Sequence, residues 1–262
     1  MKCTLFISLL PKFIYYNDCF ANMSKRKHQK SLPPTQNASS ASLDDGSDEE
    51  DHGHNMQNAV KECARYILHR EGSKIPIKKA DIAKHLATAC QTPSQYVSSV
   101  ISAAEKLLKK VYGYKLVSIK GKSGVQYIVV LTEECESLPS NVSEPELRTM
   151  LMASLTHIFM SGGSVKEDDL WKFLSEAGLL EENDFAGRKA FIATFTRQLY
   201  LSFTKVGDGD LAWNVFEWGQ RAHQEVPKMF LLQKMAEAFE KTPEHWAEQY
   251  KQATESNTAA AS

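Results

Sequence analysis

Cysteine is scarce and scattered: Cys3, Cys19, Cys63, Cys90 and Cys135 are the five in 262 residues. The number is odd, no two form a CxxC pair, and no Cys/His cluster accompanies them. This argues against a disulfide framework and a zinc site, and it fits a reducing compartment. No run of about 18 apolar residues occurs, the length a single membrane-spanning helix needs. Also missing are a P-loop, a GxSxG elbow, an HExxH pair and a dinucleotide fingerprint. The residues that superficially suggest chemistry have plainer readings. Asp168-Asp169 is a carboxylate pair at a helix start, where acids complement the dipole. Gly207-Asp208-Gly209-Asp210 is too short for a calcium loop. His157 lies on an apolar helix and reads as a packed histidine. The chain is therefore expected to be non-catalytic, with no metal or cofactor.

What the sequence does contain is sorted charge. The whole chain stands at −1, yet Asn58 to Leu131 carries 13 Lys and Arg against 4 Asp and Glu, a net +9. Val142 to Ser262 carries 12 basic and 18 acidic residues, a net −6. The basic segment opens with an apolar-periodic run from Ala59 to Leu68. A turn at Lys74–Lys79 and a second helical stretch from Ala80 to Leu86 follow. A longer helix then places Val97, Val100, Ile101, Ala104, Leu107, Leu108 and Val111 at helical spacing. Two strand-like runs, Lys115–Lys120 and Val125–Leu131, flank Gly121-Lys122-Ser123-Gly124. Three helices and a hairpin, in that order, predict a winged helix over residues 58–131.

After a linker at 132–144 the same order returns. One helix carries Leu147, Met150, Leu151, Leu155, Ile158 and Phe159 and stops at Gly162-Gly163. A second spans Asp168–Leu174, and a third runs from about Arg188 to Tyr200. Leu201–Val206 and Leu211–Trp218 enclose the Asp/Gly-rich turn. The expected fold is mainly α with small β-hairpins: tandem winged helices at 58–131 and 145–222, a helical extension at 223–254 and a short disordered tail at 255–262. Residues 1–57 read as a disordered tail, Ser-, Pro- and Asn-rich and then acidic, with too few large apolar groups to offset ordering entropy. Residues 1–22 admit three readings: an upstream extension or tail, a signal peptide, or a membrane-surface anchor. Lys25–Lys30 reads equally as a nuclear import or nucleic-acid-touching signal and as a solvated tail.

A protein that neutralises several phosphates gains affinity by counterion release without reading sequence. On that ground Lys106, Lys109, Lys110, Lys120 and Lys122 are the candidate contacts to the backbone of double-stranded DNA, and Lys74, Lys78, Lys79 and Lys84 form a second candidate cluster. Lysine dominates over arginine, which favours phosphate contact over base reading and argues against a sequence-specific transcription factor. Arg188, Lys189, Arg197 and Lys205 form a smaller candidate patch in the second half.

Several ordered blocks resemble the MAGE homology domain. They are Tyr66-Ile67-Leu68, Lys74–Ile82, Tyr112–Val117, Ile158–Gly163, Leu170-Trp171, Arg197–Leu201, Phe216–Ala222 and Trp246–Tyr250. The resemblance covers roughly residues 58–254. It departs where the family usually has proline, at Gln220, and often has it, at Ala247. The resemblance implies a non-catalytic partner of a RING-type ubiquitin ligase. The compact single MAGE region favours the member that serves as a non-SMC element of the DNA-repair SMC complex. That member also contacts the kleisin subunit and helps the assembly bind DNA, in the nucleus on chromatin. The alternative is a MAGE adaptor of a RING ligase outside that complex. The family's matching region for the RING partner falls on Tyr66, Ile67 and Leu68. Phe191, Phe195 and Trp213 are the candidates for a groove that takes a kleisin helix.

Overall fold

The computed structural model describes residues 48–121, 124–133 and 145–260. The first half runs α1 (Asp48–Glu71), β1 (Ile77–Lys78), α2 (Lys79–Cys90), a 3-10 turn (Ser94–Tyr96), α3 (Val97–Tyr112), β2 (Tyr114–Gly121) and β3 (Gly124–Leu131). The second repeats it: α4 (Pro145–Met160), β4 (Ser164–Lys166), α5 (Glu167–Glu176), α6 (Phe185–Arg197), β5 (Leu201–Val206) and β6 (Trp213–Trp218). Then come α7 (Gln220–Glu225), α8 (Lys228–Ala238) and α9 (Ala247–Ala260). The architecture is two tandem winged helices with a helical extension.

Each hairpin gains a third strand that periodicity does not reveal. β1 pairs antiparallel with β3, and β4 with β6, giving sheet orders β1-β3-β2 and β4-β6-β5. These extra strands are only two and three residues long. That is too short to carry an alternation signal.

Apolar spacing does place the long helices. On α3, Val97, Val100, Ile101, Ala104 and Leu108 are buried along one stripe. Gly113 then ends the helix in a left-handed conformation (φ 67°), its N–H donating to the Leu108 carbonyl. In the second half the core is aromatic. Trp171 meets Phe191 and Phe216 edge-on at centroid distances of 5.7 and 5.4 Å, and Phe195 stacks edge-on against Phe191 at 4.9 Å.

Some boundaries move. α1 starts at Asp48, nearly three turns before Asn58, within what reads as tail. α6 starts at Phe185, because the Asp184 carboxylate accepts from the Gly187 N–H at 2.7 Å and caps the helix early. Gln220 and Ala247 are each the first residue of a helix. Proline is favoured at that position but not required, so both helices form without it.

The two halves are locked by a buried ionic cluster. Arg221 on α7 is 2% exposed. Its Nε donates to the Gln198 carbonyl, its Nη1 to the Val129 carbonyl on β3, and its Nη2 to the Lys74 carbonyl, each at 2.9 Å. Nη1 also pairs with Glu225 at 2.9 Å. Lys74 pairs with Glu71, and its Nζ lies 3.7 Å from Glu225. The Tyr200 hydroxyl donates to Glu225. Two cations and two carboxylates thus pair with one another in a buried site. Beside them Ile119, Ile128 and Val130, on the outer sheet face of the first half, pack with Leu199 of the second.

Lys74 (φ 57°) and Leu199 (φ 64°) both adopt left-handed backbone, uncommon for non-glycine residues. Both are held by Arg221, whose guanidinium takes the Lys74 carbonyl and whose backbone N–H takes the Leu199 carbonyl at 2.9 Å. Gly219 allows the approach: a Cβ there would stand 2.2 Å from the Leu199 oxygen.

Candidate functional site

On α3 the face opposite the core is occupied by Ser98, Ser99, Ser102, Lys106, Lys109 and Lys110, all exposed. Glu105, the helix's one acid, is turned aside and half-buried, and its Oε1 accepts from the Leu116 N–H at 3.3 Å. The stripe therefore presents hydroxyls and ammonium groups with no carboxylate among them. Both group types bind phosphate oxygens. The serines escape a reading based on charge, although their period matches that of the lysines.

Lys79, at the start of α2, is half-buried, and its Nζ donates to the Ser98 hydroxyl at 2.8 Å, so it joins the stripe. Lys120 is exposed on the sheet face shared with Tyr127 and Ile77, the face the helices cover. Lys78 is exposed but aligned with Gln126 and Ile119 on the opposite face, toward the second half. The candidate lysines do not form one surface, and Lys74, 2% exposed and paired with Glu71 inside the ionic cluster, is not a surface contact at all. Lys79, Lys106, Lys109 and Lys110 gather along α3, Lys120 projects beside that side of the sheet, and Lys78 is separated from it. Lys122 lies outside the described residues.

The three residues matched to a RING partner split as well. Ile67 is 0% exposed in the core of the first half, so it is not a surface contact. The physical reason is its register: Ala59, Cys63, Ala64 and Ile67 form the stripe of α1 that faces α2 and α3. Tyr66 and Leu68 flank that stripe and are half-buried. Tyr66 stacks on His85 with centroids 4.4 Å apart, and the Arg70 guanidinium carbon lies 5.9 Å above its ring. His85 in turn meets Glu62 at 3.0 Å. Cys63, in the same stripe, has its thiol pushed up to about 12 by burial, which leaves it inert.

Of the kleisin candidates, Phe191 and Phe195 are both 0% exposed and belong to the aromatic core, so neither lines a groove. Trp213 is different: it is 45% exposed, at the outer end of β6, with the Lys166 Nζ 5.0 Å over its ring. It borders a groove of about 750 Å³ lined also by His157, Val165, Phe173 and Val215. Val206 is its cross-strand partner, and Leu211, 82% exposed, sits in the turn between them. These three form an apolar tip that periodicity alone reads as ordinary strand. His157 lies flat on Phe173 at 4.1 Å, and burial lowers its pKa against a weaker opposing pull from Asp169.

Among the described residues no cluster of three or more His, Cys, Asp or Glu is arranged to hold a metal ion. Arg188, from the smaller candidate patch, has its guanidinium carbon 5.5 Å from the rings of Trp171 and Phe185.

The chain matches the MAGE homology domain over residues 63–229. It is 32% identical over 203 residues to the human non-structural maintenance of chromosomes element 3 homolog, covering 74% of this chain and 65% of that protein. It is 30% identical over 206 residues to human trophinin, covering 76% of this chain but 14% of that protein. The chain thus spans less than two thirds of the length of either relative. Among solved structures it is similar to a chain of the Nse1-Nse3-Nse4 complex. The TM-score is 0.65 at 27% identity, over 80% of this chain and all of the other. The ordered winged helices and the match from Cys63 through Met229 place this chain in the MAGE family.

Proposed function

We propose that this chain is a non-catalytic MAGE subunit of the DNA-repair SMC complex, one that binds and stimulates a RING-type ubiquitin ligase, contacts the kleisin subunit, and holds DNA by its backbone. It would act in the nucleus, on chromatin. One observation carries the assignment: the chain aligns over the full length of a chain in the three-part Nse1-Nse3-Nse4 complex. The surfaces fit three such tasks. The Ser/Lys stripe of α3 suits phosphates, the half-buried Tyr66 and Leu68 suit an α1-centred contact, and the groove at Trp213 suits a helix in a groove.

The DNA role follows from charge and residue type. Lysine and serine contact phosphate oxygens without regard to base, so binding should depend steeply on salt and weakly on sequence. A similarity of 30% to trophinin supports a second reading, a MAGE adaptor that directs a RING ligase outside the SMC complex.

Affinity purification of the tagged full chain separates the two. Recovery of SMC proteins, a kleisin and a RING protein together supports the first reading. Recovery of a RING ligase without SMC or kleisin proteins supports the second and overturns the first. A salt titration of duplex binding, with wild-type chain and with Lys106, Lys109 and Lys110 changed to Glu, tests the DNA face. Binding that survives those changes would move the DNA contact elsewhere.

A further inference from the structure

A second pocket, of about 250 Å³, opens where α4, β6, α7, α8 and α9 meet, and shares no residue with the α3 stripe or the Trp213 groove. Phe159 and Trp218 form its apolar walls; His223, Lys228, Glu217 and Gln252 supply its polar lining. The Lys228 Nζ lies 6.0 Å from the Phe159 ring centroid and 5.7 Å from that of Trp218. The imidazole of His223 is 5.5 Å from the same indole. The indole N–H is already committed to the Leu155 carbonyl at 2.8 Å.

The cation in this pocket is poorly compensated. Burial holds the Lys228 ammonium below its ordinary value, and no neighbouring carboxylate counters that effect. His223, an exposed residue at the rim of the pocket, is lowered too, by the partial burial of its ring first and by Lys228 second. Two aromatic faces attract an ammonium, but less strongly than a carboxylate at hydrogen-bond distance does. Glu217 lines the pocket from an exposed position and forms no ion pair with Lys228 within 4 Å. An anion between Lys228 and His223 would satisfy both groups.

We propose that this pocket is a socket for one carboxylate side chain, an Asp or Glu carried by a partner protein. Its size excludes a larger ligand: about 250 Å³ falls below the roughly 300–1,000 Å³ of small-molecule sites and suits one side chain. The surrounding charge excludes a polyanion. The second half carries 18 acids against 12 bases, and Glu217 stands at this pocket, so repulsion grows with the charge of the ligand and a single carboxylate is disfavoured far less than a nucleic-acid backbone. The rings of Phe159 and Trp218 accept the methylene stem, and Lys228 and His223 accept the charge. This goes beyond the SMC-complex reading and does not depend on it.

The test is an NMR titration of the full chain with N-acetyl-glutamic acid α-amide, which offers one side-chain carboxylate. N-acetyl-glutamine amide is the neutral control and inorganic phosphate the alternative anion. The expected result is saturable movement of the Trp218 indole and His223 ring signals with a rise in the His223 pKa. The glutamine compound should bind about tenfold or more weakly, a difference of about 1.4 kcal/mol. Lys228→Met, which keeps the apolar stem, should remove the response while the thermal midpoint stays within a few degrees. If that variant does not fold, His223→Gln should weaken binding several-fold. Equal responses to the acid and the amide, a response to phosphate alone, a response unchanged by both substitutions, or no response would each overturn the proposal.

Discussion

The guanidinium of Arg221, in the second winged helix, donates to the carbonyl oxygen of Val129 in the first at 2.9 Å. The same side chain reaches the Lys74 carbonyl at 2.9 Å and the Glu225 carboxylate at 2.9 Å. One planar fork thus spans both halves, something a lysine ammonium cannot do from the same stem. Removing it leaves Glu225 and three carbonyls in a dry site. Arg221→Met should therefore cost about 3–5 kcal/mol, the range for breaking a buried pair by deleting one partner. Arg221→Lys should recover only part of that. Urea denaturation measures both. Glu225→Leu added to Arg221→Met should cost less than the two single changes together, because the uncompensated charge is gone.

Ile67 and Tyr66 are neighbours in sequence with separate jobs. Ile67→Ala empties a fully buried site and should cost about 2–5 kcal/mol of stability. Tyr66→Ala removes a half-buried ring stacked on His85 and should cost much less stability while weakening binding of the proposed RING partner. Denaturation and partner affinity, measured on both variants, separate the core role from the surface role. Equal stability losses would overturn this division.

These two residues also show what sequence could reveal. Helical spacing was enough to place α1, α3 and α4 and the repeat of one order in two halves, because amphipathic stripes are written locally. The same spacing did not say which member of Tyr66-Ile67-Leu68 faces inward, since three adjacent apolar residues span most of a helix circumference. Nor did it expose the role of Arg221, whose partners Lys74 and Val129 lie 147 and 92 residues away. The split of Lys78 from Lys120 was equally hidden, because it depends on β1 joining the sheet and fixing its register. Phe191, Phe195 and Trp213 are alike in composition but not in place. Only tertiary packing makes two of them core and leaves one at a hairpin tip.

Ser102 sits one turn before Lys106 on the exposed face of α3. Placing a carboxylate there by Ser102→Glu should weaken the proposed DNA binding without loss of stability, because the side chain is solvated and glutamate is a good helix former. Each lysine of the stripe changed to Ala should reduce the slope of log affinity against log salt by about 1. Lys78→Ala should have a smaller effect, as it lies on the other sheet face. Fluorescence anisotropy at several salt concentrations reads these slopes. An equal effect from Lys78 would show that the contact is not centred on α3.

His157 makes stability depend on acid. Burial against Phe173 lowers its folded pKa below the ordinary 6.5, with Asp169 opposing weakly. Lys166, Asp169, Lys172 and Glu176 share the groove beside it. The unfolded chain then binds the proton more readily than the folded one. Stability is constant for this group above about pH 7 and falls as pH drops through 6.5 toward the folded value. The slope contributed approaches about 1.4 kcal/mol per pH unit for one proton. His223, lowered by partial burial and by Lys228 but exposed to solvent, adds a smaller contribution of the same sign. His157→Gln should flatten part of the decline between pH 7 and pH 5, measured as the urea midpoint at each pH, and His157→Gln/His223→Gln should flatten more of it. A decline unchanged by both substitutions would overturn this assignment of the acid sensitivity.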